Sequence, residues 1–102
     1  MIYVVATVIV QPQGRERFLM EVNKVAVDVR GERGCLEYSP TVDIASGHGR
    51  QIEMRQDVVT IVERWSDLEA LKAHSVAPHM LSFRQRCQDL VISTSLQVLA
   101  PV

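Results

Sequence analysis

The stretch DVVTIVERWSDLEALKAHSVAPHM, residues 57–80, decides the fold. Its first nine residues, Asp57 to Trp65, are rich in β-branched side chains and alternate with a period of two. Val58, Thr60 and Val62 share one face, and Val59, Ile61, Glu63 and Trp65 the other, which is the signature of a strand. Both faces are largely apolar, so the strand is expected at the centre of a sheet. Ser66-Asp67-Leu68-Glu69 follows with the S-x-x-E form of a capping box, in which hydroxyl and carboxylate satisfy opposing backbone N–H groups, and predicts a short helix. Pro78 disfavours helical geometry at Ala77 but suits a first helical turn, so a break is expected near residues 75–77 with a second helical piece after it.

Towards the N-terminus, Ile2 to Val10 reads as a strand stopped by Pro12 and Gly14. Its faces, Ile2/Val4/Ala6/Val8/Val10 and Tyr3/Val5/Thr7/Ile9, are both mostly apolar and both expected to be buried. From Arg15 to Arg30 the residues Phe18, Leu19, Val22, Val25, Ala26 and Val29 form one helical stripe, with Gly31 and Gly34 marking the exit. Cys35 to Ile44 is the next strand, and Ala45 to Gln56 a loop or protruding hairpin. Beyond Pro78 the helix buries Met80, Phe83, Cys87, Leu90 and Val91, and Ile92 to Leu99 closes the chain as a strand. The order β-α-β-β-α-β predicts one α+β domain over residues 1–102, of ferredoxin-like build with a four-stranded antiparallel sheet.

Composition excludes several classes. With 47% hydrophobic and 23% charged residues and a net charge of −1, the chain has the balance of a folded domain and no basic stripe for nucleic acid. The apolar run Val4 to Val10 is far shorter than a membrane span. The start of the chain shows no charged leader or cleavage site, so a cytoplasmic location is expected. Cys35 and Cys87 are expected as free thiols. Two helical layers cover only one face of a four-stranded sheet, and a second copy of the chain is the simplest cover for the other; a homodimer is therefore expected.

Glu63-Arg64-Trp65, Leu71, Ala73-His74 and Pro78-His79 make up a recognisable pattern, together with the opening strand Ile2 to Ala6, the Pro12-Gln13-Gly14 turn and the Gly34-Cys35-Leu36-Glu37-Tyr38 strand. In these motifs the chain resembles the antibiotic biosynthesis monooxygenase family over nearly its whole length. The resemblance implies two sheets packed into a dimeric α/β barrel, with a pocket between each sheet and its own helices. It implies no single reaction, since similar proteins include cofactor-free oxygenases of phenols and quinols, haem-degrading enzymes and an isomerase. Two departures stand out: the 44–56 segment is long and carries His48, Arg50 and Arg55, and the first strand offers Thr7 but no Asn, which disfavours haem as substrate.

Among candidate site residues, His79 stands beside Met80 and one turn before Phe83, where its imidazole would act as base in an apolar pocket or else cap the helix or fill the core. His74 is the second candidate, with favourable interaction at a helix C-terminus as its structural alternative. Neither belongs to a recognisable metal ligand set, and no metal or cofactor is expected. Trp65 offers a flat wall and an N–H donor, or else a core filler. Glu63 must be paired or protonated if buried, an arginine of a partner chain being the expected counter-ion. Tyr38, Phe83 and Met80 complete the substrate-binding set. The resemblance implies a cofactor-independent monooxygenase acting on a small aromatic diol, quinol or polyketide-like phenol with O2. A hydroxycarbonyl isomerase and a non-catalytic ligand-binding dimer stand as alternatives.

Overall fold

The computed structural model describes all of residues 1–102. Strands β1 (Ile2–Val10), β2 (Cys35–Thr41), β3 (Val58–Trp65) and β4 (Val91–Leu99) and helices α1 (Arg15–Arg30), α2 (Leu68–Ser75) and α3 (Pro78–Arg86) follow the expected order. The sheet runs β2-β3-β1-β4 with every neighbouring pair antiparallel. This is the ferredoxin-like arrangement.

Alternation along the two central strands sorts their side chains. Val4, Ala6, Val8 and Val10 of β1 and Val59, Ile61, Glu63 and Trp65 of β3 are buried on one face. There they meet the α1 stripe of Phe18, Val22, Val25, Ala26 and Val29 and the α3 residues Met80 and Phe83. Phe18 and Phe83 join the two helices with ring centroids 5.8 Å apart, in a tilted aromatic pair. On the opposite face, within one chain, Tyr3, Val5 and Thr7 are half-buried and Ile9 is exposed, which leaves this second apolar face to be covered from outside the chain. No element of the chain crosses that face. Edge strand β4 pairs with β1, but the helices do not reach over it, and Ile92, Leu96 and Val98 are exposed.

Several local expectations change. Strand β2 ends at Thr41, not Ile44, because Asp43 turns its carboxylate onto Arg55. The two carboxylate oxygens accept from Arg55 Nε and Nη2 at 2.9 Å each, and the Arg55 amide donates to the same group. Above that clasp, residues 44–56 form a loop without strand pairing, not a hairpin. The cap of α2 is Asp67, whose carboxylate accepts from the Ala70 amide at 2.8 Å; Ser66 makes no such bond. Helix α3 ends at Arg86, short of the stripe residues Cys87, Leu90 and Val91 expected on it, and strand β4 starts one residue early, at Val91.

The turn from α1 into β2 packs tightly on α2. Gly34 adopts φ +82°, and a Cβ placed there would lie 2.5 Å from Ser66 Oγ and 2.6 Å from Ala70 Cβ. Only glycine satisfies both the left-handed backbone and the close approach. The Ser66 amide donates to the Gly34 carbonyl at 2.8 Å, which ties the start of β2 to the end of β3.

Candidate active site

Because β4 extends past the helices, the sheet and the α2–α3 pair leave a cavity of about 450 Å³ between them. Ala6, Val8 and Ile61 form its floor, Phe18, Leu71, Met80 and Phe83 its apolar walls, and Thr94 and Leu96 of β4 its open side. Glu63, Tyr38 and His74 are its inner polar groups, with Arg84 and Gln88 of the α3 region also on the wall. Such a volume, mostly apolar with a few convergent polar groups, suits a small organic molecule.

Glu63 is held on β3 with only 4% of its surface exposed. Its Oε1 accepts from Trp65 Nε1 at 2.9 Å, the two side chains being neighbours on the same strand face. Within the chain this indole N–H is the hydrogen-bond partner of Glu63. Burial pushes the Glu63 carboxyl above its usual range, against smaller opposing effects from the Trp65 N–H and from His74. Tyr38 of β2 lies opposite Glu63 in the sheet and is also buried. Burial, with the negative charges of Glu63 and Glu32, pushes its hydroxyl well above the usual range and keeps it neutral. Arg30 secures this strand from α1 by donating twice to the Tyr38 carbonyl, at 3.2 and 2.8 Å.

His74 follows Ala70 by four residues, so both lie on the buried side of α2. It stands in the last turn of α2 and is buried. Its ring packs 4.7 Å from Trp65 and 5.7 Å from Tyr38, centroid to centroid. Its Nδ1 lies 2.9 Å from Glu32 Oε2, and the same oxygen lies 2.7 Å from His79 Nε2. His79 itself is not on the cavity wall; its ring turns from the first turn of α3 toward the α1–β2 turn. Trp65 is fully buried behind Glu63 and also does not reach the cavity. Of the seven residues singled out from the sequence, Glu63, Tyr38, His74, Met80 and Phe83 converge on one cavity, and His79 and Trp65 stand behind it. No group of three or more His, Cys, Asp or Glu side chains is arranged to hold a metal ion. Cys35 and Cys87 are free, and burial raises both thiols.

The model of the family described as antibiotic biosynthesis monooxygenase matches residues 1–86, and these residues include every inner polar group of the cavity. The chain belongs to this family. Among curated proteins, "Probable quinol monooxygenase YgiN" of Escherichia coli K12 is 30% identical over 103 residues, covering 99% of this chain and 98% of the relative. Two solved structures carry the same fold. PA3566 from Pseudomonas aeruginosa has a TM-score of 0.81 at 23% identity, covering 99% of this chain and 93% of that one. A conserved protein from Methanosarcina mazei Go1 has a TM-score of 0.83 at 19% identity, covering 99% and 92%.

Two polar residues of the site carry no signal in the sequence. Glu32 sits in a turn, where a carboxylate is ordinary and no periodicity marks it. Arg84 lies one residue past Phe83 on α3 and donates to the Ser75 carbonyl at 2.8 Å, a contact across two helices that local spacing does not reveal.

Proposed function

We propose that this chain is a monooxygenase that oxidises a small aromatic diol or quinol with O2, without a resident cofactor, and that it works as a homodimer. The observation that carries the reading is the apolar cavity in which a buried carboxyl, Glu63, and an imidazole, His74, converge. Its volume accommodates one or two aromatic rings, and the relative named as a quinol monooxygenase supports that substrate class.

In this reading His74 accepts a phenolic proton and the mostly apolar cavity leaves an electron-rich anion facing O2. One electron passes to O2, the radical pair joins at a ring carbon, and the resulting hydroperoxide loses water. For a quinol, one oxygen atom is inserted into a ring C–H bond and the two phenolic hydrogens leave with the other as water, giving a hydroxylated quinone. Glu63, held toward its neutral form by burial, protonates the departing oxygen. Tyr38, neutral and adjacent, donates to the developing oxyanion. Met80 and Phe83 flank the ring. The open sheet face, with Tyr3, Val5 and Val62 half-buried, is covered by a second copy.

The test is oxygen consumption by metal-stripped, flavin-free protein against a panel of quinols and aromatic diols. Uptake that falls on the order of 10²-fold in His74→Gln or Glu63→Gln supports the reading. Absence of uptake across the panel overturns it and transfers the site to isomerisation or to ligand binding, which turnover of hydroxycarbonyls without O2 distinguishes.

A further inference from the structure

We infer that Glu32 is a positioning residue that fixes the tautomer and orientation of His74, and that His79 belongs to this clamp and not to the proton transfer; only its catalytic meaning rests on the function proposed above. A single oxygen, Glu32 Oε2, lies 2.9 Å from His74 Nδ1 and 2.7 Å from His79 Nε2. A carboxylate only accepts, so both nitrogens must carry hydrogen. A neutral imidazole protonated at Nδ1 holds its lone pair at Nε2. His74 Nε2 has no hydrogen-bond partner in the chain, and His74 lies on the cavity wall. Glu32 thereby makes that nitrogen an acceptor for a proton from a bound ligand. For His79 the same logic places the hydrogen on Nε2 and commits that nitrogen to Glu32, away from the cavity.

The fold enforces this meeting. The Glu32 amide donates to the Val29 carbonyl at 3.0 Å and the Cys35 amide to the Glu32 carbonyl at 3.2 Å, which curls the turn. Gly34 then presses the turn on Ala70, one helical turn before His74. The Glu32 side chain is only 13% exposed, so its charge needs donors close by, and the two imidazoles supply them. Packing on Trp65 and Tyr38 holds the plane of the His74 ring, but packing alone does not choose which nitrogen carries the hydrogen. Without an acceptor at Nδ1, an imidazole is free to carry its hydrogen at Nε2, and His74 would then offer the cavity a donor where a base is needed.

Nitrogen–proton correlation NMR of the imidazoles, recorded above their titration range, tests this without any substrate. His74 and His79 signals are assigned with His74→Gln and His79→Gln. The expected wild-type result is an Nδ1–H tautomer for His74 and an Nε2–H tautomer for His79, with His74 shifting toward Nε2–H in Glu32→Leu. A wild-type His74 in the Nε2–H form overturns the inference, and so does a Glu32→Leu spectrum that keeps Nδ1–H. Should Glu32→Leu fail to fold, the wild-type spectrum decides alone. Where oxygen uptake is found, Glu32→Leu should lower kcat on the order of 10²-fold with KM little changed, Glu32→Gln should recover part of it, and His79→Gln should cost less than His74→Gln. A His79→Gln loss equal to that of His74→Gln overturns the assignment of His79 to the clamp. Absence of uptake in the wild type sinks the proposed reaction, whereas the tautomers seen by NMR still decide the role of Glu32.

Discussion

Replacing Gly34 by alanine should be among the most damaging single-methyl changes available in this chain. At φ +82° a non-glycine residue loses about 1–2 kcal/mol to the clash of its Cβ with the backbone. The new methyl would also sit 2.5 Å from Ser66 Oγ and 2.6 Å from Ala70 Cβ, where ordinary contacts between heavy atoms are about 3.5–4.0 Å. Opening roughly 1 Å between the turn and α2 is overpacking, which costs about 1–3 kcal/mol. The sum, about 2–5 kcal/mol, is a large share of the stability of a domain this size. Gly47→Ala is the internal control, since Gly47 also has positive φ, +75°, but nothing within 4 Å of its Cβ. It should lose only the backbone contribution of about 1–2 kcal/mol. Urea unfolding at one fixed protein concentration reads both, and the Gly34→Ala midpoint should fall by roughly 1–3 M. Equal losses in the two variants would refute the steric argument and, with it, the account of how Glu32 is brought to His74.

Glu63→Gln should stabilise the protein while it removes activity. Burial raises the Glu63 carboxyl, so the folded chain keeps this proton to higher pH than the unfolded chain. The group's contribution is fully present below the ordinary carboxylate range and is lost as pH rises through the folded value. The variant's unfolding midpoint should therefore exceed the wild type's at about pH 8 and approach it at about pH 4; a gap that widens on acidification contradicts the direction of the shift. Asp67→Ala should cost about 1 kcal/mol by loss of the α2 cap, whereas Ser66→Ala should stay within about 0.5 kcal/mol, and thermal unfolding of the pair decides between them. Val5→Lys puts a charge at the centre of the open sheet face, and light scattering should show a dimer become a monomer; a variant that elutes unchanged places any self-association elsewhere.

Much of the fold is legible in the sequence because its signals are local. The period of two in β1 and β3 and the stripe of α1 need no knowledge of partners, and Pro78 marks the α2–α3 break by its own covalent geometry. The cap of α2 is ambiguous in sequence because Ser66 and Asp67 are adjacent cap formers, and Ser66 is instead engaged against Gly34. The second apolar face of β1 is legible as apolar from alternation, but its cover is not, because no element of the same chain supplies it. At the site, Glu63, Tyr38 and His74 are identifiable as residues but not in their relations. The Glu63–Trp65 bond spans two positions on one strand, so alternation alone places the pair side by side. The Glu32 contacts span 42 and 47 residues, and only the crossing of the α1–β2 turn over α2 creates them. His79 resembles a base because it lies next to apolar residues in sequence, yet its ring leaves the α3 stripe on the side of Glu32.

The chain contains one tryptophan, and it stands where the chemistry converges. Trp65 donates to the Glu63 carboxylate and packs against the His74 ring. All indole emission of the protein therefore comes from a single fluorophore in contact with two of the cavity's polar groups. Protonation of His74, ionisation of Glu63 and entry of an aromatic guest each alter that one signal, and protonated imidazole quenches it. The protein thus carries its own optical reporter, and unlabelled compound collections can be screened by fluorescence without a turnover assay.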